Sequence, residues 1–290
     1  MAPAHVSVLA ASGPGVGLGH LSRAGAVAAA LRAQGHDVTT LTPGDAPVEH
    51  DGIAWTPLPA GTAPDGDGPL LVDVYGADLA ALGRGRRPVA TFWDGAGAPP
   101  DADLALTLAG PDGPRLACLR PMFWGLAARP VADAAARVVV TTGGGAAGGA
   151  GALATAVRRA APDADVALVL GPYATEDAPD GVEAIRAPER MADVLQAADV
   201  VVTAAGQTLL ETLCAGTPCV ALAVVDNQRA QLALATRAGA ARGAGTAAEA
   251  AEAAAALLAD APARRALAAA GRELVDGFGA LRVAGRIAAL

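Results

Sequence analysis

The sequence predicts an α/β protein made of two Rossmann-like domains, each with an open parallel sheet. Short β-branched runs alternate with Ala-rich amphipathic stretches, the pattern of βαβ units. The alternation starts afresh at Arg137. Glycine-rich segments follow expected strands and open expected helices in both halves, where open parallel sheets place their ligands.

In the first half, strands are expected at residues 6–11, 37–41, 70–74, 89–93 and 104–108. A helix over 20–34 lies between the first two and ends at Gly35. Residues 48–68, rich in Pro, Asp and Gly, read as a surface loop. In the second half, strands fit 138–142, 166–170, 182–186, 200–203 and 219–223. Helices fit 150–161, 192–198, 208–215 and 227–237, and from 246 to the end the chain reads as helix with a break near 277–279. Residues 121–136 join the halves. The boundary is drawn there, giving domains 1–130 and 131–290 with a cleft between them.

Composition narrows the chemistry. Of 290 residues, 53% are hydrophobic and only 3% aromatic, so Ala, Val and Leu must build the core through many small contacts. The formal charge of −8 makes nucleic acid a poor partner. Lys is absent, which excludes a P-loop and a pyridoxal or aldolase-type Schiff base on lysine. The three Cys (118, 214 and 219) form neither a disulfide framework nor a metal pair; Cys214 and Cys219 read as small core residues. The amino end lacks signal-peptide character, and the uncharged stretch 138–157 is too rich in Gly and Thr for a membrane span. A cytoplasmic protein with no integral membrane segment is expected.

Four motifs carry candidate chemistry. The first runs from Gly13 to His20, between a strand and a helix. Its glycines, with Gly17 and Gly19 nearest the helix, let backbone approach a ligand. The spacing Gly15-x-Gly17-x-Gly19 does not fit the dinucleotide fingerprint. His20, in the first helical turn, is a candidate proton acceptor; the alternative is a locally packed His. The second motif, Thr141 to Gly149, faces a diphosphate through Gly143 and Gly144 or is a flexible connection. The third is Gly206-Gln207-Thr208-Leu209-Leu210-Glu211. Thr208 suits a phosphate oxygen, and Glu211, three residues on, suits ribose hydroxyls; the alternative is a capping Thr and a solvated Glu. The fourth is Asp226-Asn227-Gln228, whose amides suit sugar or phosphate oxygens unless Asp226 is an ordinary helix cap. No ligand cluster with metal spacing occurs; Asp101-Ala102-Asp103 precedes a strand and reads as a loop.

Three stretches resemble the UDP-sugar hydrolase of pseudaminic acid biosynthesis and the related spore-coat polysaccharide protein, of the GT-B superfamily. They are Gly17-Leu18-Gly19-His20-Leu21-Ser22-Arg23; the run from Met191 through Gly206–Glu211 and Gly216-Thr217-Pro218 to Asp226-Asn227-Gln228; and residues 275–283. Asp73-Val74-Tyr75-Gly76 is similar to a strand end of the same group. The resemblance implies a GT-B fold, two Rossmann-like domains with parallel sheets facing across a cleft and the nucleotide held by the second. It implies Glu211 on the ribose, Gly206 to Thr208 near the diphosphate, Met191 near the base and His20 as the base, with no metal or cofactor. Arg23, Asp73, Tyr75 and Asp94 fall on the acceptor or sugar side. The chain departs from the hydrolase pattern at Ala10-Ala11-Ser12-Gly13-Pro14 and at Gly143-Gly144-Gly145-Ala146, both on the sugar and phosphate side. The expected activity is therefore glycosyl transfer from a nucleotide-sugar, a UDP-sugar above all, to a small acceptor. The alternatives are UDP-sugar hydrolysis, with water as acceptor, and nucleotide-sugar binding without chemistry.

Overall fold

Strand β1 (His5–Ala10) is buried at every residue after His5. A continuous apolar run of this kind belongs in the middle of a parallel sheet covered on both faces. The computed structural model describes residues 3–13, 16–93, 97–108, 113–143 and 149–290. It places β1 centrally in a seven-stranded sheet of order β3-β4-β2-β1-β5-β6-β7. Here β2 is Asp37–Pro43, β3 Val48–His50, β4 Ile53–Leu58, β5 Leu70–Asp73, β6 Val89–Phe92 and β7 Leu104–Leu106. Helix α1 (Gly19–Ala33) is the crossover from β1 to β2. All pairings are parallel except β3 with β4.

The β3–β4 hairpin corrects the expected loop over 48–68. Asp51 and Gly52 both take positive φ, 52° and 70°, as the tightest hairpin turn requires, and Asp-Gly is a favoured pair for it. The pairs Val48–Trp55 and His50–Ile53 flank the turn, and Trp55 is buried against α1.

The second sheet has the order β10-β9-β8-β11-β12-β13, parallel throughout. Its strands are β8 Arg137–Thr141, β9 Asp165–Leu170, β10 Glu183–Arg186, β11 Val200–Ala204, β12 Cys219–Leu222 and β13 Arg242–Ala244. The helices are α2 Ala150–Ala160, α3 Met191–Ala197, α4 Gln207–Ala215, α5 Arg229–Arg237, α6 Ala247–Ala259 and α7 Ala261–Leu274. β13 is absent from the sequence reading; three residues including a Gly give too short a run to show as a strand. A break the reading also lacks falls at Asp260, whose side chain accepts from the Ala263 amide and so starts α7.

The chain forms two compact units, Met1–Trp124 with Phe278–Leu290, and Gly125–Gly277. The last helix, α8 (Gly279–Ile287), was expected with the second domain but belongs to the first unit. Its apolar residues Ala280, Val283, Ala284 and Ile287 recur at helical spacing and are buried in one core with Leu21, Val27 and Leu31 of α1. The approach is close: a Cβ on Gly279 would lie 2.2 Å from the Ala117 carbonyl oxygen. Within the second unit the fully buried Arg264 of α7 donates to the carbonyls of Leu257, Leu258, Ala132 and Asp133, tying the start of that unit to α6. Among the described residues no helix is long and apolar enough to cross a membrane.

Strand order sets where a ligand goes. The chain runs from β1 to β2 on one side and later crosses to β5 on the other, so the first sheet switches direction between β1 and β5. The second sheet switches between β8 and β11. Loops beyond the carboxyl ends of strands at such points diverge and leave a crevice.

Candidate functional site

At the first switch point β1 gives way to a turn in which the Gly17 amide donates to the Gly13 carbonyl at 2.7 Å. Helix α1 follows at once, with Leu18 at its cap, a residue whose side chain makes no capping hydrogen bond. His20, the second helical residue, is 6% exposed. Its Nδ1 lies 2.6 Å from Oδ1 of Asp73. Asp73 is the last residue of β5 and pairs with Ala10, the last of β1. Asp73 therefore sits at a strand end beside that of β1, and His20 reaches it from the first turn of α1.

Arg23 lies one turn beyond His20 on α1 and reaches the same carboxylate. Its Nε donates to Asp73 Oδ2 at 2.9 Å and its Nη2 to Oδ1 at 2.6 Å. The guanidinium stacks over the Phe92 ring, 4.2 Å from its centroid, at the end of β6. Tyr75 meets the His20 ring edge-on at a centroid separation of 4.6 Å and is 57% exposed. His20 is thus one member of a buried His–carboxylate pair.

Asp73 is 2% exposed. Burial alone would push its pKa up, but the Arg23 charge and the hydrogen bonds from His20 and Arg23 outweigh that and hold the carboxyl below its ordinary value. An ionised carboxylate only accepts, so His20 Nδ1 carries the hydrogen in this bond. In the neutral ring Nε2 is then the atom able to take a proton. The thiols are not set up as nucleophiles. Burial pushes Cys214 up to about 11, Cys219 to about 12 and Cys118 further.

At the second switch point Gly143 follows β8 and Gly206 follows β11. The two turns come together: a Cβ on Gly143 would lie 4.0 Å from Thr208 Oγ1. Gly206 caps the nine-residue helix α4 without any side-chain hydrogen bond, and Gln207 and Thr208 are its first residues. Helix amides in this position favour an anion. Glu211 is 3% exposed, which removes the reading of it as a solvated carboxylate.

Gln228 lies beside this turn. Its Oε1 accepts from the Val224 amide at 2.9 Å, and its Nε2 would be 3.4 Å from a Cβ on Gly206. Gln231, which the sequence reading misses, donates through Nε2 to the Gly206 carbonyl at 2.6 Å. Its spacing of three from Gln228 on a helical segment is the signal that was there to find. Asp226 is not a side-chain cap; it is exposed and takes a hydrogen bond from Arg229 Nε at 2.9 Å. Asn227 is exposed in the same turn. Met191 opens α3, which packs against α4, and its own side chain is buried.

Gly19 occupies the exposed first position of α1, with open space where a Cβ would be. Asp94 and Gly144 lie outside the described residues. Among the described residues no group of three or more His, Cys, Asp or Glu is placed to hold a metal ion. Asp101 and Asp103 are engaged with Arg84, and Asp103 also accepts from the Val89 amide.

No protein-family model matches the chain, and no curated protein matches its sequence. Solved structures do match over nearly the whole chain. MurG of Acinetobacter baumannii is 18% identical with a TM-score of 0.62, covering 99% of this chain and all (100%) of its own. The calicheamicin glycosyltransferase CalG4 is 15% identical with a TM-score of 0.66, covering 100% of this chain and 98% of its own. The Streptomyces sp. SF2575 glycosyltransferase SsfS6, complexed with thymidine diphosphate, is 17% identical with a TM-score of 0.64, covering 97% and 99%. The chain has the GT-B fold of these proteins.

Proposed function

We propose that this protein is a glycosyltransferase that moves a sugar from a pyrimidine nucleoside-diphosphate donor to the hydroxyl of a small acceptor. The observation that carries the reading is the buried His20–Asp73 pair at the first sheet's switch point, in a chain of GT-B fold. In this mechanism His20 Nε2 takes the proton of the acceptor hydroxyl as its oxygen bonds to the anomeric carbon. The bond from that carbon to the diphosphate breaks, and the nucleoside diphosphate leaves with the electron pair. Asp73 holds the ring in one tautomer and faces the imidazolium that forms.

The leaving diphosphate is assigned to the turn of Gly206, Gln207 and Thr208, whose helix amides oppose its charge without a metal ion. Glu211 is assigned to the ribose, and Gly143, Asn227 and Gln228 to the flanks of the same site. The base is uracil by the sequence resemblance, which also supports the link to the pseudaminic-pathway and spore-coat group. Thymine enters because similar solved glycosyltransferases are complexed with thymidine diphosphate. Transfer is favoured over hydrolysis because the chain departs from the hydrolase pattern at Ala10–Pro14 and Gly143–Ala146.

The test is to follow nucleoside-diphosphate release from a panel of UDP- and TDP-sugars, with and without hydroxylated small acceptors. Release that depends on acceptor supports transfer. Equal release in buffer alone means hydrolysis, and no release from any donor removes the enzyme reading.

Glu211→Ala is expected to weaken UDP or TDP binding by on the order of 1–3 kcal/mol, since ribose hydroxyls would lose a buried acceptor. Calorimetric titration measures this directly. Unchanged affinity takes Glu211 out of the nucleotide site.

A further inference from the structure

We propose that Arg23 is a positioning residue that holds the Asp73 carboxylate, and through it the His20 ring, and is not a contact to acceptor or sugar. The inference rests on the functional reading above in so far as His20 is the base. Three observations place Arg23 in this role. Both Nε and Nη2 are committed to the two oxygens of Asp73, in the parallel geometry that only a guanidinium offers. The guanidinium face is covered by the Phe92 ring. Asp73 Oδ1 accepts from Arg23 and His20 together, so the three groups share one carboxylate.

The electrostatic consequence has a definite sign. Beside a buried carboxylate alone, an imidazole gains a proton easily, and a base that is already protonated cannot act. Arg23 balances the Asp73 charge in the resting state. It also keeps Asp73 ionised, so that Nδ1 remains the protonated nitrogen. Among the described residues the other groups here are the Cys118 thiol, near Arg23 and Asp73, and the Tyr75 phenol ring against His20. Burial keeps the thiol neutral. Arg23 is the cation of the group.

The experiment compares Arg23→Gln and Arg23→Lys in the full chain. It reads the pH profile of kcat/KM, the acceptor KM, and the titration of His20 by nitrogen NMR of labelled histidine. His20 is assigned among the four His by the signal that His20→Ala loses. Arg23→Gln is expected to move the acid limb and the His20 titration to higher pH, because the Asp73 charge is then unbalanced. Arg23→Lys is expected to keep both near their native pH while lowering kcat, because a point charge does not hold the carboxylate in the fork geometry. Acceptor KM should stay constant in both. An unmoved titration with a raised acceptor KM identifies an acceptor contact and overturns the proposal. An unmoved titration with only a lower melting temperature also overturns it. Should Arg23→Gln not fold, a native kcat in Arg23→Lys is the overturning result. The NMR titration needs no turnover, so it decides the role of Arg23 even if every nucleotide-sugar proves inert.

Discussion

His20→Ala is expected to bind UDP or TDP as the native protein does and to turn over about 10²–10⁴-fold more slowly, the usual effect of removing a general base. The variant should fold. Asp73 keeps its two bonds from Arg23, so no buried charge is left alone, and the lost ring occupies a helix start and not the centre of the core. Nucleotide binding should be spared because His20 belongs to the first unit, whereas Gly206, Thr208 and Glu211 belong to the second. Melting temperature, nucleotide affinity and turnover measured on one preparation separate the possibilities. Turnover per folded molecule equal to the native value would show that His20 is not the base. Loss of nucleotide affinity along with turnover would mean that His20 acts through folding.

Asp73→Asn should damage both rate and stability. The amide keeps the size of the side chain but removes the charge that orients His20 and faces Arg23. With the wrong ring nitrogen protonated, turnover is expected to fall about 10²–10⁴-fold. Removing one partner of a buried ion pair leaves the other uncompensated, a loss of about 3–5 kcal/mol when the pair is fully enclosed. Arg23 remains partly open to solvent, which places the expected loss at or below the lower end of that range.

The stability difference should also depend on pH. The folded carboxyl of Asp73 is depressed below the ordinary 3.8, so its contribution is complete above that value and is lost as pH falls through the folded pKa. Denaturant titrations at neutral pH and near pH 3 should therefore show the gap between native and Asp73→Asn protein closing in acid. A gap that is constant with pH would mean that the Asp73 charge contributes no stability and that the variant is weakened by packing alone.

These effects depend on a contact between residues 53 positions apart in the chain. The sequence points to Asp73 and Arg23 on the acceptor or sugar side, but not to their relation with His20. Nothing in their spacing shows that β5 lies beside β1, because strand order is a matter of pairing across the sheet. The same holds for Gln231. Its helical neighbour Gln228 was visible, whereas the Gly206 carbonyl it bonds lies on a different strand-to-helix turn.

Local signals were read more fully. Alternating strand and helix patterns follow from side-chain periodicity and backbone preference, which act over a few residues and survive in any context. They place the strands of both sheets other than β3, β4 and β13, the helices α1, α2 and α4, and the turns at Gly17, Gly143 and Gly206. The Asp51-Gly52 hairpin is legible by the same rule, although it lies in a segment whose Pro- and Asp-rich composition reads as loop.

Composition and periodicity thus suffice for the fold class, for the strand-to-helix turns that can carry chemistry, and for His20 as a candidate base. The partner of α8, the sharing of Asp73 by His20 and Arg23, and the burial of Glu211 emerge only when the chain is folded. The reason is physical. Helical and strand periods are set by bonds between near neighbours, whereas a buried ion pair is set by which strands lie side by side and by how much water their packing excludes.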